Sequence, residues 1–439
     1  MVVVLICLWA TPLVARQAST AWIDFRLLMA QLSLNVGANG QFALLKAQGD
    51  GGDAPGALLI RGGSTSLAAM AAALPDEKKH VLKKTPDGWV LSVPVLVGEE
   101  ARLDLAPKTS LILRRDQGAF IAVFGGFSAT SARVSGTAAP NKGDPEFRPF
   151  LLAAGRGHLT LVGSGFTGLG FGAETPYRGI AVVNRGLFAP HGSTVLADNV
   201  FDDIGGVTLV STKGAEVSSN TFRYARGEAL RLEEAEASLV RANRFDAPEG
   251  HGIRVTNGST DTRLFENTVT ATAGLGILVD RGAVGATLFG NAVKKPAQSA
   301  IVIRQARCVF VRDTTAENAG GSGIVIDRAE AILIEKNTLR GNRHAGLYLS
   351  RQKKTPATLI LGNTFEANRI GLVGEALPAL HAYGNDFSAQ LPRLLGGDLT
   401  GQTRLLATDL LGRAPVDLVS GAPLSALPAR SPCEAEAQS

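Results

Sequence analysis

Residues 199–201, Asn199-Val200-Phe201, begin a three-residue step that returns along the chain at a nearly constant interval. The later steps are Asn220-Thr221-Phe222, Asn243-Arg244-Phe245, Asn267-Thr268-Val269, Asn291-Ala292-Val293, Asp313-Thr314-Thr315, Asn337-Thr338-Leu339, Asn363-Thr364-Phe365 and Asn385-Asp386-Phe387. Neighbouring steps are separated by 21 to 26 residues. This regular spacing indicates a repeat protein whose units stack on one another.

Each step is followed, usually nine residues later, by a small residue and a strand of alternating apolar residues. Gly252-Ile253-Arg254-Val255 and Gly346-Leu347-Tyr348-Leu349 are examples, and a second short apolar strand precedes each step, as at residues 331–335. Gly and Asn at the corners mark tight turns. A unit of about 23 residues is too short for two helices. The pattern therefore predicts an all-β, parallel β-helix, with one coil per unit and coils about 4.8 Å apart.

The asparagine of each step has a physical reason to recur. At a corner the backbone amides leave the strand ladder, and an inward Asn side chain can hydrogen-bond to the turn of the next coil, as buried polar groups require. Asn also tolerates the left-handed backbone that corners demand. We therefore predict a column of stacked asparagines, beside a core column of the apolar residues that end most steps.

The composition limits the class of partner. Lys and Arg outnumber Asp and Glu by 44 to 39 in a chain of 439 residues. This mild basic excess favours acidic partners, while the absence of a Lys/Arg-rich tract argues against nucleic acid. Neither the Cys spacing nor the clustering of His is typical of a metal site, and no cofactor is expected. Cys308 and Cys433 could form a disulfide in an oxidising compartment; the interpretation we favour is a small core residue and an incidental tail residue.

Four regions are predicted along the chain. Residues 1–18 contain an apolar run, Val2–Ala15, as long as the core of a signal peptide and too short to span a bilayer; the alternative is a buried first strand. Residues 19–88 are expected to form an N-terminal cap, in which Ser66 begins a helix over Leu67–Leu74 that covers the open end of the stack. Residues 89–388 are expected to form the β-helix, and residues 389–439 a C-terminal cap and disordered tail. No later segment is apolar enough to span a membrane.

Two segments ahead of the repeats resemble a known family. Asp144-Pro145-Glu146-Phe147-Arg148-Pro149-Phe150-Leu151-Leu152, with Asp116-Gln117-Gly118-Ala119-Phe120 upstream, is similar to segments of the periplasmic mannuronan C5-epimerases of alginate biosynthesis. The resemblance covers roughly residues 57–375. It implies a right-handed parallel β-helix (solenoid), export to the periplasm, an anionic polysaccharide (a polyuronate) as ligand, and a polysaccharide export complex as partner.

The catalytic motif of that family is replaced in this chain. The family carries Asp-Pro-His-Asp on a strand just after a repeat step, and matching the step at Asn220 places this motif on Arg231-Leu232-Glu233-Glu234. Glu233 then stands at the position of the histidine. One coil later, the family's His-Gly-Ile is matched by His251-Gly252-Ile253.

Epimerising a uronate at C5 removes a proton beside a carboxylate and returns one from the opposite face. A cation must neutralise the carboxylate, and a base and an acid must flank the ring. Strand alternation predicts that Arg231, Glu233, His251 and Arg254 share one outward sheet face. The two arginines could hold the carboxylate, with His251 or Glu233 moving the proton. Alternatively, Arg231 pairs with Glu233 or Glu234 on a solvated face, and His251 is a turn residue.

A column of arginines is the predicted binding surface. Its members, which close successive strands at nearly the same place, are Arg281, Arg304, Arg328 and Arg351. Stacked coils would align them into a cationic stripe matched to a polyanion, with Tyr348 as the aromatic platform. The alternative is a row of ordinary charged edge residues, two of which are neutralised by Asp280 and Asp327.

Three functions stay open on the sequence. The first is a mannuronan C5-epimerase-like isomerase, converting mannuronate to guluronate in the polymer with an altered catalytic set. The second is a non-catalytic β-helix that binds or guides the exported polysaccharide. The third is a lyase or hydrolase; retaining hydrolysis needs two carboxylates about 5 Å apart, and Glu233 with Asp280 does not suggest such a pair.

Overall fold

The computed structural model describes residues 18–37, 39–48, 55–172, 174–186, 188–352, 358–426 and 433. Within them the chain winds into a right-handed parallel β-helix whose coils contribute strands to three long sheets, here named sheets I, II and III. The described strands number 15 in sheet I, 15 in sheet II and 14 in sheet III. The predicted all-β, right-handed parallel β-helix is confirmed.

The strands of each sheet follow one another in stacking order. Sheet I consists of Ser19–Asp24, Gly56–Arg61, Val95–Val97, Ile121–Val123, Leu151–Ala154, Ile180–Val183, Val207–Val210, Leu230–Glu233, Ile253–Thr256, Ile277–Asp280, Ile301–Arg304, Ile324–Asp327, Ala345–Ser350, Ile370–Glu375 and Arg393–Gly397. Sheet II consists of Gly63–Thr65, Ala101–Leu105, Gly126–Thr130, His158–Val162, Val195–Ala197, Glu216–Ser218, Leu239–Arg241, Arg263–Phe265, Thr287–Phe289, Arg307–Arg312, Glu330–Glu335, Thr358–Leu361, Leu380–Tyr383, Val416–Asp417 and Ala422–Pro423. Sheet III consists of Leu82–Thr85, Gly88–Leu91, Ser110–Leu113, Arg133–Gly136, Gly165–Thr167, Val200–Asp202, Thr221–Arg223, Arg244–Asp246, Thr268–Thr270, Ala292–Lys294, Thr315–Glu317, Thr338–Arg340, Thr364–Glu366 and Asp386–Ala389.

The described helices are short. The α-helices are Phe25–Val36, Gln41–Ala47, Leu67–Ala73 and Thr403–Thr408, and the 3-10 helices are Asp76–Val81, Arg115–Gln117, Thr175–Tyr177 and Asp398–Gln402. The helix expected after Ser66 is present, and the Ser66 hydroxyl accepts the N–H of Ala69 at 3.3 Å. Its buried Leu67 and Met70 join the interior core. None of the helices in the described residues combines the length and apolar character needed to cross a membrane.

The asparagine column lies inside the corner between sheets II and III. Asn220 is typical: its Oδ1 accepts the backbone and side-chain N–H groups of Asn199, both at 2.9 Å. Its Nδ2 donates to the carbonyl of Leu196 at 2.7 Å and to Asn243 Oδ1 at 2.9 Å. The column members, each at most 2% exposed, are Asn199, Asn220, Asn243, Asn267, Asn291, Asn337, Asn363 and Asn385. Each side chain thus satisfies buried groups of neighbouring coils and fixes how those coils stack.

One predicted step is displaced by one residue. Thr314, and not Asp313, stands in the column: its Oγ1 accepts the N–H of Asn291 at 3.3 Å, and its own N–H donates to Asn337 at 3.0 Å. Ala316 then fills the core position. The prediction placed Asp313 there because Asp resembles Asn in shape. A threonine hydroxyl can both accept and donate, so it serves the column as well.

The predicted boundary at residue 89 lies inside the β-helix. Gly56–Arg61 pairs with Val95–Val97, and Gly63–Thr65 pairs with Ala101–Leu105, so the region expected to be a cap already contributes to sheets I and II. At the other end, Arg393–Gly397 extends sheet I past residue 388. The Gly-rich, weakly patterned sequence of residues 19–65 hid both the first strands and the helices Phe25–Val36 and Gln41–Ala47.

The segment that resembles the epimerases helps to cover the first coils. The helix Phe25–Val36 lies on the outer face of sheet I, where its apolar side chains share one buried cluster with Phe120, Phe147 and Phe150. The rings of Phe120 and Phe150 stack with centroids 4.5 Å apart. Arg115 fixes the segment by donating to the carbonyl of Phe147 at 2.6 Å. Three residues of the Glu-Phe-Arg-Pro-Phe-Leu segment are therefore core residues, since Leu151 is buried in the interior of the β-helix.

The expectation that Cys308 and Cys433 are unpaired is wrong. They form a disulfide that joins residues 125 positions apart, with Cα atoms separated by 5.9 Å. The prediction failed because the repeat pattern carries no information on where a tail outside the coils lies. Except for Cys433, the tail residues 427–439 lie outside the described residues, as do residues 1–17 of the predicted export signal.

Candidate functional site

The outer face of sheet I is apolar in the first coils and becomes polar and charged from the strand Leu230–Glu233 onward. One column of this face contains Ala154, Val183 and Val210, which are buried in the cluster beneath the N-terminal helix. Its next members, in stacking order, are Glu233, Thr256, Asp280, Arg304, Asp327, Ser350 and Glu375. Arg231 and Arg254 are neighbours in the adjacent column, which leads to Tyr348. The predicted outward columns are therefore present, and we name the face from Arg231 to Glu375 the polar wall.

Glu233, at the position matched to the family's histidine, is the centre of an ion-pair network. Its Oε2 lies 2.7 Å from Nη2 of Arg231. Its Oε1 accepts from Arg185 Nη2 at 3.1 Å and from Asn257 Nδ2 at 2.9 Å. The side chain is 9% exposed. Both carboxylate oxygens are thus directed at donors within the protein, and Glu233 positions Arg231 rather than facing a ligand.

Arg254 is held between two carboxylates. Its Nη1 lies 2.9 Å from Oε1 of Glu228, and its Nη2 lies 3.1 Å from Oδ2 of Asp280. Arg304 reaches the same Asp280 oxygen at 3.3 Å, and Arg231 lies 3.7 Å from Glu228. Asp280 is fully buried, and the Arg254 side chain is 13% exposed. The alternative interpretation of paired arginines is thus the observed one, although these pairs are largely buried and not solvated.

The charges of this network balance. We name it the charge cluster; its cations are Arg185, Arg231, Arg254 and Arg304, and its anions are Glu228, Glu233, Glu234 and Asp280. Every guanidinium of the set has a carboxylate partner. The cluster therefore offers an incoming carboxylate no cation that is not already neutralised.

The ionisation of the buried pair supports this closed arrangement. Burial alone would raise the pKa of Asp280, but hydrogen bonds from Thr256 and Arg254 outweigh it and hold the pKa below its ordinary value of 3.8. Burial would likewise lower the pKa of Arg254, but hydrogen bonds to Glu228 and Asp280 outweigh it and raise the pKa. Both groups stay charged at neutral pH, so the pair persists.

The His251 ring accepts a hydrogen bond from the backbone of the next coil. Its Nδ1 accepts the N–H of Leu275 at 3.0 Å, and burial lowers the pKa of the ring. A neutral imidazole bonded in this way carries its proton on Nε2 and has no free lone pair to take another. The ring also lies against Gly274, where a Cβ would fall 2.6 Å from Nδ1. This geometry does not fit the general base expected at His251.

Two residues of the charge cluster were missed by sequence reasoning. Glu228 stands one coil before His251, in the same corner between sheets III and I, and the N–H of Ala229 bonds to the carbonyl of His251. Comparing the two coils at this position could have found it. Arg185 gave no signal, because the preceding step has Ser164 in place of Asn and lies 35 residues before Asn199.

The predicted arginine stripe is divided between two columns. Arg304 stacks between Asp280 and Asp327, whereas Arg281, Arg328 and Arg351 lie one residue later, at φ between 48° and 51°. The strands end in register, but Arg304 is the last residue of its strand, whereas the other three arginines follow the last residue of theirs. Its carboxylate partners are Asp280 for Arg304 at 3.3 Å, and Asp327 for Arg328 at 3.2 Å and for Arg351 at 2.8 Å. Arg281 has no ion pair among the described residues.

Tyr348 forms a second polar group farther along the wall. Its hydroxyl donates to Oε2 of Glu375 at 2.7 Å, and its ring centroid lies 5.6 Å from that of His344. Burial and the hydrogen bond to Glu375 raise the pKa of Tyr348, so the hydroxyl stays protonated. The half-buried ring leaves one aromatic surface on the wall.

Two family models match parts of the chain. One, described as "Right handed beta helix region", matches residues 262–390, and the other, described as "Periplasmic copper-binding protein (NosD)", matches residues 174–306. In the part of the chain that the structure describes, no three His, Cys, Asp or Glu side chains converge as metal ligands.

The relatives that match are epimerases. The mannuronan C5-epimerase of Pseudomonas aeruginosa is 26% identical over 230 residues, covering 48% of this chain and 42% of the relative. That of Pseudomonas fluorescens is 23% identical over 229 residues, covering 48% and 43%. The chain thus spans less than half the length of these curated relatives. The crystal structure of the periplasmic alginate epimerase AlgG superposes with a TM-score of 0.74 at 18% identity, covering 84% of this chain and 93% of that chain. At this identity the superposition establishes the shared fold.

Proposed function

Since the chain belongs to the mannuronan C5-epimerase family, we propose that it binds an exported polyuronate in the periplasm and holds the polymer on the polar wall without epimerising it at the strand Leu230–Glu233. This is the binding or guiding function among those open on the sequence.

Several features support a polyuronate as the ligand and the periplasm as the compartment. The curated relatives are mannuronan C5-epimerases, and the similar solved structure is a periplasmic alginate epimerase. The disulfide between Cys308 and Cys433 fits an oxidising compartment. The formal net charge of +5 favours a polyanion. Stacked strands about 4.8 Å apart also present repeating positions to a repeating polymer.

One observation supports the proposal that the chain does not epimerise the polymer at this strand: the charges of the charge cluster are balanced. Removing the C5 proton needs a cation free to neutralise the substrate carboxylate. Arg231 and Arg254, the cations placed for this role, are neutralised by Glu233, Glu228 and Asp280. A base with an available lone pair is also needed. The Nδ1 lone pair of His251 is used by the N–H of Leu275.

The runner-up is an epimerase with an altered catalytic set, and the Tyr348 group favours it. Tyr348, Glu375 and His344 gather a phenol, a carboxylate and an imidazole on the same wall. A protonated tyrosine can return a proton to a sugar carbon, and a carboxylate can accept one. An active enzyme would therefore use this group, and not the strand that matches the family motif.

The experiment is incubation with polymannuronate in deuterium oxide, with C5 deuterium followed by NMR and binding followed by calorimetry. The Pseudomonas aeruginosa relative serves as the positive control. Binding without exchange is the expected result. Deuterium incorporation at C5 would overturn the proposal; loss of that incorporation in Tyr348→Phe would then identify the runner-up. New unsaturated chain ends would reveal a lyase instead.

A further inference from the structure

A small cleft opens at the corner between sheets III and I, just before the polar wall. Its volume is about 200 Å³, and it is lined by Glu146, Arg148, Phe171, Arg178 and Arg226, with the backbone of Gly170, Gly172 and Gly205. A water molecule takes up about 30 Å³ of liquid, so the cleft has room for a small organic anion and not only for solvent. Three guanidinium groups converge on it.

The guanidinium of Arg226 stabilises the corner between sheets III and I, and both of its Nη atoms already have acceptors there. Its Nη2 donates to the carbonyls of Leu169 at 2.8 Å and Gly170 at 2.7 Å. Its Nη1 donates to both the backbone and the carboxylate oxygen of Asp203. Arg148 is partly used, with Nη1 3.2 Å from the other carboxylate oxygen of Asp203. These two arginines share one carboxylate.

Arg178 differs from them, because it has no hydrogen-bond or ion-pair partner among the described residues. Its guanidinium passes over Gly227, where a Cβ would fall 2.1 Å from Nη2. Gly227 does not have a positive φ, so its backbone conformation does not require glycine. A Cβ at residue 227 would displace the movable end of the Arg178 side chain, so the glycine leaves room for the Arg178 head group in its observed position. The chain thus places a free cation in the cleft by leaving out a neighbouring side chain.

The charge of the cleft is suited to an anion. Three arginines and Glu146 line the cleft, and Asp203 pairs with Arg148 and Arg226. Arg115 and Glu249, which also act on these side chains, carry opposite charges, so the set keeps one excess positive charge. The charge cluster has no such excess. Gly227 is followed directly by Glu228 of that cluster, so the cleft adjoins the polar wall. A polymer on the wall can therefore place an acidic group in the cleft.

We propose that this cleft binds one carboxylate of the polyuronate chain, with Arg178 and Arg148 as the donors and Gly227 as the residue that admits Arg178. Guanidinium groups bind carboxylates through paired, charge-assisted hydrogen bonds. This inference rests on the proposed function, because it assigns the anchoring point of the same ligand.

The test is calorimetric binding of an oligomannuronate, with a neutral mannose oligomer of equal length as the comparison ligand. Arg178→Gln and Gly227→Ala are each expected to weaken oligomannuronate binding at least tenfold. The control Arg263→Gln, at an exposed position on sheet II, should stay within twofold of the wild type. If Gly227→Ala fails to fold, Arg148→Gln replaces it, with an expected loss of at least threefold.

The possible outcomes distinguish the proposed function from the proposed role of the cleft as the anchoring point. A wild-type protein that binds no oligomannuronate overturns the proposed function. Wild-type binding that survives Arg178→Gln unchanged overturns the cleft as its anchoring point and leaves the proposed function standing. Binding of the neutral oligomer that depends on Arg178 would also overturn the inference, because it would remove the role of the carboxylate.

Discussion

The substitution Asp280→Asn tests whether the stability of the protein depends on the ion pairs of the charge cluster. Asn keeps the shape and removes the charge that Arg254 and Arg304 share at 3.1 and 3.3 Å. Asp280 is fully buried and Arg254 is 13% exposed, so the substitution removes one carboxylate partner of a largely buried cation and leaves it only Glu228, which Arg231 also contacts. Breaking such a pair costs about 3–5 kcal/mol. Arg304 is 43% exposed, and its share is at most about 1 kcal/mol. The urea concentration at which half of the protein is unfolded should therefore be lower for Asp280→Asn than for the wild type.

The same substitution should strengthen binding of an oligomannuronate. Arg254 loses one of its two carboxylate partners and becomes available to a ligand carboxylate. A hydrogen bond to a charged group contributes about 1.5–3 kcal/mol, which corresponds to at least about a tenfold gain in affinity. Calorimetry at low and high salt measures it, and the gain should shrink at high salt.

Asp327→Asn is the matched control for Asp280→Asn. Asp327 also pairs with two arginines, but Arg328 and Arg351 are 47% and 60% exposed and remain hydrated when the carboxylate is lost. We expect a stability loss of at most about 1 kcal/mol. Equal losses in the two variants, or an Asp280→Asn protein with wild-type stability and affinity, would refute the closed charge cluster.

Three further results are expected. Asn267→Ala should lose about 1–3 kcal/mol and speed amide exchange at Asn243, whose N–H bonds to Asn267 Oδ1 at 3.1 Å; unchanged exchange would contradict the column. Cys433→Ser opens a loop of 125 residues to Cys308 and should destabilise by about 4–5 kcal/mol, so a variant as stable as the oxidised wild type would count against it. The pKa of Asp280 is lower in the folded than in the unfolded protein, so Asp280 contributes stability above pH 3.8 that is lost as the pH falls through the folded pKa. The difference in unfolding free energy between wild type and Asp280→Asn should therefore become smaller in acid. A difference that does not change with pH would contradict the ion pair.

The fold could be predicted because its physical cause repeats. An asparagine that satisfies the same buried groups on each coil returns at a fixed interval, and that interval is visible in one sequence. The shift from Asp313 to Thr314 marks the limit of this reasoning, because a threonine can take the place of asparagine without resembling it. The first coils were not predicted. They lack the asparagine step that makes the repeat visible in the sequence, and apolar side chains packed under the helix Phe25–Val36 stabilise them instead.

The candidate site was predictable only in part. Strand alternation placed Arg231, Glu233 and Arg254 correctly on one face. It could not give their partners, because Glu228 lies in a corner and Arg185 on a coil without an asparagine step. Whether an arginine faces a ligand or a neighbouring carboxylate depends on such contacts. Arg178 was missed for the same reason, since its position depends on the glycine at residue 227.

The bridge between Cys308 and Cys433 also decides how the stack would respond to pulling. Each coil of a solenoid contacts only its neighbours, so under tension it unspools coil by coil from a free end. A force applied to the C-terminal tail enters the stack at the strand Arg307–Arg312 and bypasses the later coils, which lie within a covalent loop. Those later coils carry no load, and they cannot unspool under this force until the bridge is reduced.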